Sequence, residues 1–228
     1  MNHFAVLMQF LRDRPKFFED VKQEQYLNAT ALSLLICSSG FFALYGMILG
    51  SFKGGLQILV SAVKLPALYL ITLAICLPAL FFFEVVAGSQ RKFMQYLVLL
   101  LGAMGVISVM LLGFAPVTLF FRLSLSDYTF FQLLNIFILG LASVIGVQVF
   151  YRGMVALTAS EDLALKQRQL AMKLWLVLYG FVGSQLGWTL RPFFGSPGKP
   201  FELFRDLESN FFLHILRLIG NLVTGGGG

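Results

Sequence analysis

The sequence predicts an all-α integral membrane protein: a helical bundle of about five transmembrane helices, with kinked second and third spans and an amphipathic in-plane helix at each terminus. Three observations carry that prediction. First, 58% of the 228 residues are hydrophobic and only 12% are charged, half of the about 25% usual in a soluble domain. Second, the mean hydropathy is +0.82, and 25 Phe against 11 acidic residues leave too little polar surface to coat a water-soluble globule. Third, five windows hold the roughly 20 apolar residues that a spanning helix needs: Ala29–Gly50, Leu65–Val86, Tyr96–Phe121, Phe130–Tyr151 and Leu170–Leu190. The same composition argues against a disordered chain, a disulfide scaffold or a nucleic-acid binder, because the net charge of +6 is spread over loops and forms no basic stripe.

Residues 1–28 read as an interfacial segment. Phe4, Leu7, Met8 and Leu11 fall on one helical face with Arg12 and Asp13 off it, the pattern of a helix lying in the headgroup region. Pro15 breaks that helix and opens a short second one through Val21. The first apolar run starts near Ala29, too late for a cleavable signal peptide. The bundle itself occupies 29–190. Beyond it, 191–223 holds a Pro/Gly-rich loop and a second amphipathic helix, in which Phe204, Leu207, Phe211, Ile215, Leu218 and Leu222 recur at helical spacing. A sixth span is the alternative, although Phe211–Val223 supplies only about 20 Å of helix. Residues 224–228 read as a linker remnant. On the N-terminal side of the bundle the loops carry ten Lys and Arg against three on the opposite side before the C-terminal tail, which predicts a cytoplasmic N-terminus; the tail, on that opposite side, adds Arg191, Lys199, Arg205 and Arg217 against the rule.

The chain also repeats. Shifted by 38 residues, 50–83 aligns with 88–121, matching Gly50-Ser51 with Gly88-Ser89, Gln57 with Gln95, Leu59-Val60 with Leu97-Val98, Leu73 with Leu111, Pro78 with Pro116 and Phe82-Phe83 with Phe120-Phe121. These nine identities in 34 positions exceed the composition background. Each unit reads as a Gly-Ser helix stop, a basic residue at headgroup level, a Gln near the next helix start and a span kinked at Pro78 or Pro116. The unit serves either to build kinked hairpins or to frame a midplane site as an inverted repeat.

With its Gly-Ser, basic, x-Phe-x-Gln-x-Leu pattern at Gly88–Leu97 and a Pro deep in the next span, the region 45–151 resembles Yip1-type five-span membrane proteins. The stretches Lys64–Thr72 and Leu190–Pro197 are similar to a group of cyanobacterial-type polytopic membrane proteins without assigned activity. The resemblance implies a bacterial inner (plasma) or thylakoid membrane and brings no catalytic residues.

Chemistry at depth in a membrane requires buried polar groups, and the sequence offers few. His3 and His214 lie in the terminal segments, all five Asp residues lie in loops or tails, and Cys37 and Cys76 form no CxxC pair. No catalytic, cofactor or metal site is therefore expected, and the chain is not read as an enzyme. Glu84, at the end of the second span, reads as an ion pair with Arg91 or Lys92, or as an ion-coupling carboxylate. The helix-packing candidates are Gly46 with Gly50, Ala142 with Gly146 and Gly183 with Gly187, each pair spaced by four, together with the large amides Asn135, Gln148 and Gln185. The loop after the last span is either a rigid turn or a partner-binding surface rich in exposed Phe and Arg, its candidates being Arg191, Pro192, Phe193, Phe194, Pro197, Phe201, Phe204 and Arg205. The expected role is a non-catalytic membrane subunit that binds, anchors or assembles other membrane-protein subunits. A permease-like or lipid-handling component is the alternative.

Overall fold

The structure, a computed structural model, describes residues 3–124, 127–158 and 165–194, with side chains at 3–124, 127–157 and 169–194. The described residues form seven α-helices: α1 (His3–Arg12), α2 (Arg14–Lys22), α3 (Leu27–Gly50), α4 (Leu56–Val86), α5 (Phe93–Ser124), α6 (Tyr128–Thr158) and α7 (Leu165–Thr189). Helices α3 to α7 are each long and apolar enough to cross a membrane, so the all-α five-span bundle is the fold observed.

Most expected spans are extended by a few residues, but α4 begins nine residues earlier than expected, at Leu56 instead of Leu65. Gln57, Ser61 and Lys64 interrupt the apolar pattern, yet all three are buried on one face of the helix. The 31 residues of α4 and 32 of α5 extend about 46 and about 48 Å, so both helices overreach or tilt within a hydrocarbon layer of about 30 Å. Three prolines, Pro66, Pro78 and Pro116, lie inside these two helices. Each lacks the N–H that would bond the carbonyl four residues earlier.

The helices form a curved row, α6–α5–α3–α4–α7. Helix α3 packs along both α4 and α5, α5 along α6, and α7 along α4. Helix α5 is the most enclosed, because α1 and α2 also cover its first half. Leu7 and Phe10 of α1 are buried, while Phe4 and Met8 on the same helix remain exposed. The ring of His3 lies 3.0 Å from Ser33 Oγ of α3. Gly102 and Gly105 leave the space that Phe10, Phe17 and Leu7 fill.

The two Gly-Ser sites of the repeat end their helices differently. At Gly88 (φ +83°) the Ser89 N–H bonds Glu84 O at 2.9 Å and the Gly88 N–H bonds Val85 O at 2.9 Å, the double closure of a Schellman turn. Gly50 is still helical, and the left-handed residues of the α3–α4 turn are Gly54 and Gly55. The small side of Gly50 serves contact instead. A Cβ there would lie 2.5 Å from the Gln57 carbonyl oxygen, and one at Gly46 would lie 2.4 Å from that of Ser61. Helices α3 and α4 thus meet backbone to backbone.

Candidate functional site

Between α4, α6 and α7 lies a cavity of about 470 Å³, backed by Leu49 of α3 and Ile107 of α5. Helix α6 lines it with Tyr128, Gln132, Ile136, Leu139, Gly140, Ser143 and Val147, whose steps of three and four residues mark one helical face. From Tyr128 to Val147 that face runs about 28 Å. Helix α7 supplies Tyr179, Gly180, Gly183, Ser184, Gly187 and Trp188. Its glycines hollow the wall: a Cβ built on Gly180 meets nothing within 4 Å.

Among the described residues, helices α6 and α7 meet where the rings of Phe150 and Trp175 pack at a tilt of 42° with centroids 5.5 Å apart, and scarcely elsewhere. Among the described residues, the groove therefore opens sideways between them. Trp175 is anchored by its indole N–H, which donates to the Cys76 carbonyl of α4 at 3.0 Å. The groove floor holds Tyr69, whose ring stacks on Phe42 at 4.2 Å and whose hydroxyl faces Ser143. Thr72 bonds back to the Leu68 carbonyl, leaving mainly hydrocarbon along the middle of the wall.

One end of the groove is polar. There Tyr128, Gln132 and Trp188 meet the segment 191–194, and the Arg191 guanidinium carbon sits 3.4 Å from the centre of the Trp188 ring. That segment is fastened to the first turns of α4. Gln57 Nε2 donates to the Pro192 carbonyl at 2.9 Å, and the Ser61 hydroxyl donates to the Phe193 carbonyl. The Phe194 ring meets Phe131 edge-on, with centroids 5.9 Å apart.

Behind the groove a polar cluster joins three spans. The Tyr45 hydroxyl donates to Asn135 Oδ1 at 2.8 Å and lies 3.1 Å from Thr118 Oγ1, while Asn135 Nδ2 donates to the Phe131 carbonyl at 2.8 Å. All three side chains are buried, and their mutual bonds satisfy groups that hydrocarbon would leave bare.

Several sequence expectations change place. Pro192 and Phe194 are buried, and Arg191 and Phe193 half-buried, so these four do not form the exposed Phe and Arg surface expected of them; their backbone is used to close one end of the bundle. Pro197, Phe201, Phe204 and Arg205, like the second amphipathic helix, lie outside the described residues. Gly46 and Gly50 face α4, and Gly146 faces Ile107 of α5, where a Cβ would lie 2.4 Å from Cγ1; Ala142 is buried on the same turn system. Gly183 and Gly187 are not close-approach sites, since a Cβ there would find Thr72 and Leu68 at 3.6 and 3.9 Å, ordinary contact. Asn135 packs inside, Gln185 is half-buried, and Gln148 is exposed. The expectation of few buried polar groups is corrected too, and two of them are charged: Lys64 and Glu84 are 6% and 3% exposed. Glu84 stands two residues from the end of α4, where it accepts from the Tyr96 hydroxyl at 3.4 Å, and Lys92 pairs with Glu24.

No family model, no curated protein and no solved structure matches this chain. Fold and composition define its class, a multi-pass helical membrane protein in contact with lipid.

Proposed function

We propose that this chain is a lipid-handling membrane protein: it takes one amphiphilic molecule of the bilayer into the groove between α4, α6 and α7 and positions it, without covalent chemistry. The observation that carries the proposal is the groove itself, laterally open, apolar for most of the 28 Å or so of its α6 wall and polar at the end where Tyr128, Gln132 and Arg191 gather. A volume of about 470 Å³ falls in the range of small-molecule sites. An acyl chain lies along Ile136–Val147, and the headgroup rests among residues suited to the membrane interface, Trp188 and Arg191 above all. The glycines of α7 keep the channel wide. The small-residue faces of α3 and α6 are already used inside the chain, which weakens the case for them as docking faces.

The test uses the full chain in nanodiscs of phosphatidylcholine carrying a photoactivatable group in the acyl chain. Adducts concentrated on the groove-facing Ile136, Leu139, Ser143, Val147, Tyr179, Gly183 and Gly187 support the reading. An even spread over outward residues such as Leu59, Val63 and Phe137, which are all exposed, contradicts it.

A second reading, an assembling subunit of a larger membrane complex, is favoured by Gln148, an exposed amide within a span that seeks a partner in hydrocarbon. Gln148→Leu should then dissociate a larger species on a native gel. For location we propose the bacterial plasma or thylakoid membrane with the N-terminus cytoplasmic, resting on the Lys and Arg asymmetry and on the Yip1-type and cyanobacterial-type resemblance.

A further inference from the structure

A second, separate crevice lies at the other end of the bundle. It measures about 400 Å³ and is lined by Arg14, Pro15, Phe18, Glu19 and Lys22 of α2 and by Val149, Arg152 and Ala156 of α6. Arg14, Phe18 and Lys22 are spaced by four, so one face of α2 carries a cation at each end of an aromatic ring. Val149, Arg152 and Ala156 share a face of α6 in the same way. The two faces are held together by Phe18, whose Cε1 lies 2.9 Å from where a Cβ on Gly153 would sit; only a glycine admits the ring there. Glu19 is engaged by Gln23, whose Nε2 donates to it at 2.8 Å. Among the described residues, Arg14, Lys22 and Arg152 enter no ion pair.

We infer that this crevice binds the phosphate of an anionic bilayer lipid. Three cations, Arg14 and Lys22 of α2 and Arg152 of α6, and one carboxylate line the crevice, and the rest of its lining, Pro15, Phe18, Val149 and Ala156, is apolar. Free phosphate has no use for that apolar lining, whereas a lipid covers it with its glycerol and first methylenes. Each guanidinium can contact a phosphate through two N–H groups, and Arg14 and Arg152 offer this from two different helices. Basic pockets between helices at the membrane surface hold acidic headgroups by this combination. The inference does not depend on the groove between α4, α6 and α7.

The experiment is lipid retention by the intact chain in mild detergent, read by native mass spectrometry with phosphatidylglycerol or phosphatidylcholine added. Phosphatidylglycerol is expected to be retained in preference, and the preference to fall as salt is raised in the unmodified protein. Arg14→Gln, Lys22→Gln and Arg152→Gln should each weaken phosphatidylglycerol retention about fivefold. Lys16→Gln, on α2 but outside the crevice, should leave it unchanged. Equal retention of the two lipids, a preference indifferent to salt, or an equal loss in Lys16→Gln overturns the assignment. Displacement of the lipid by inorganic phosphate alone overturns it in favour of a free-phosphate site.

Discussion

Gln57 and Gln95 do the same work at opposite ends of the bundle: each donates its side-chain amide at 2.9 Å to a main-chain carbonyl of a terminal arm, Gln57 to Pro192 and Gln95 to Val21. Both sit in the first turn of a long helix and both are 1% exposed. Gln95 also accepts from the Lys92 N–H at 2.9 Å, closing the start of α5. A buried amide in this position removes two unsatisfied groups at once, one on the arm and one of its own.

Each glutamine should therefore protect its own arm. Gln95→Leu should expose residues 1–26 to limited proteolysis and raise their hydrogen exchange, with the 190–194 segment unaffected. Gln57→Leu should do the reverse. Loss of one buried hydrogen bond sets the scale, ~1 kcal/mol of local opening free energy for each. Equal loosening of both arms by either substitution would argue for general destabilisation instead.

The backbone contact between α3 and α4 predicts a sharp glycine hierarchy. Gly46→Leu drives a side chain into the Ser61 carbonyl, 2.4 Å from the first added carbon, and should cost ~3 kcal/mol or more. Gly40→Leu, where an added carbon meets nothing within 4 Å on an exposed helix face, should be neutral or stabilising, by up to ~1 kcal/mol. Thermal unfolding of the two variants in the same detergent separates them.

The Tyr45, Thr118 and Asn135 cluster predicts energetic coupling. Tyr45→Phe and Asn135→Leu should each cost ~1–2 kcal/mol, in the upper range for polar contacts between membrane helices. Both remove the same 2.8 Å bond, so a double-mutant cycle should return a coupling of at least ~0.5 kcal/mol. Additive costs would mean that the two side chains act independently.

The spans were legible in the sequence because hydropathy answers to one strong constraint, that every backbone polar group in lipid be bonded within a helix. The start of α4 was not, because Gln57, Ser61 and Lys64 spend their polarity on the inside of the protein, two of them on main-chain carbonyls 132 to 136 residues away. Asn135 stood out as a large amide, whereas its partner Tyr45 read as one more aromatic residue in an apolar run. Gly183 and Gly187 match a packing motif, and only three-dimensional spacing reveals that they border empty space. A groove is made of distances between helices, and the sequence carries no direct record of those. The α2–α6 crevice left a fainter trace, the four-residue spacing of Arg14, Phe18 and Lys22.

The central claim, that the groove holds a bilayer amphiphile, is tested most directly by filling it. Gly180 and Gly140 line the groove from opposite walls, and a side chain started at either meets no atom within 4 Å. Gly180→Trp should leave the chain folded and monodisperse, with its thermal midpoint close to that of the parent. In nanodiscs with the photoactivatable acyl lipid, adducts on the groove-facing Ile136, Leu139, Ser143 and Val147 should then fall to background while those on outward residues such as Phe137 persist. Unchanged adducts at Ile136, Leu139, Ser143 and Val147 in a folded Gly180→Trp protein would contradict the account.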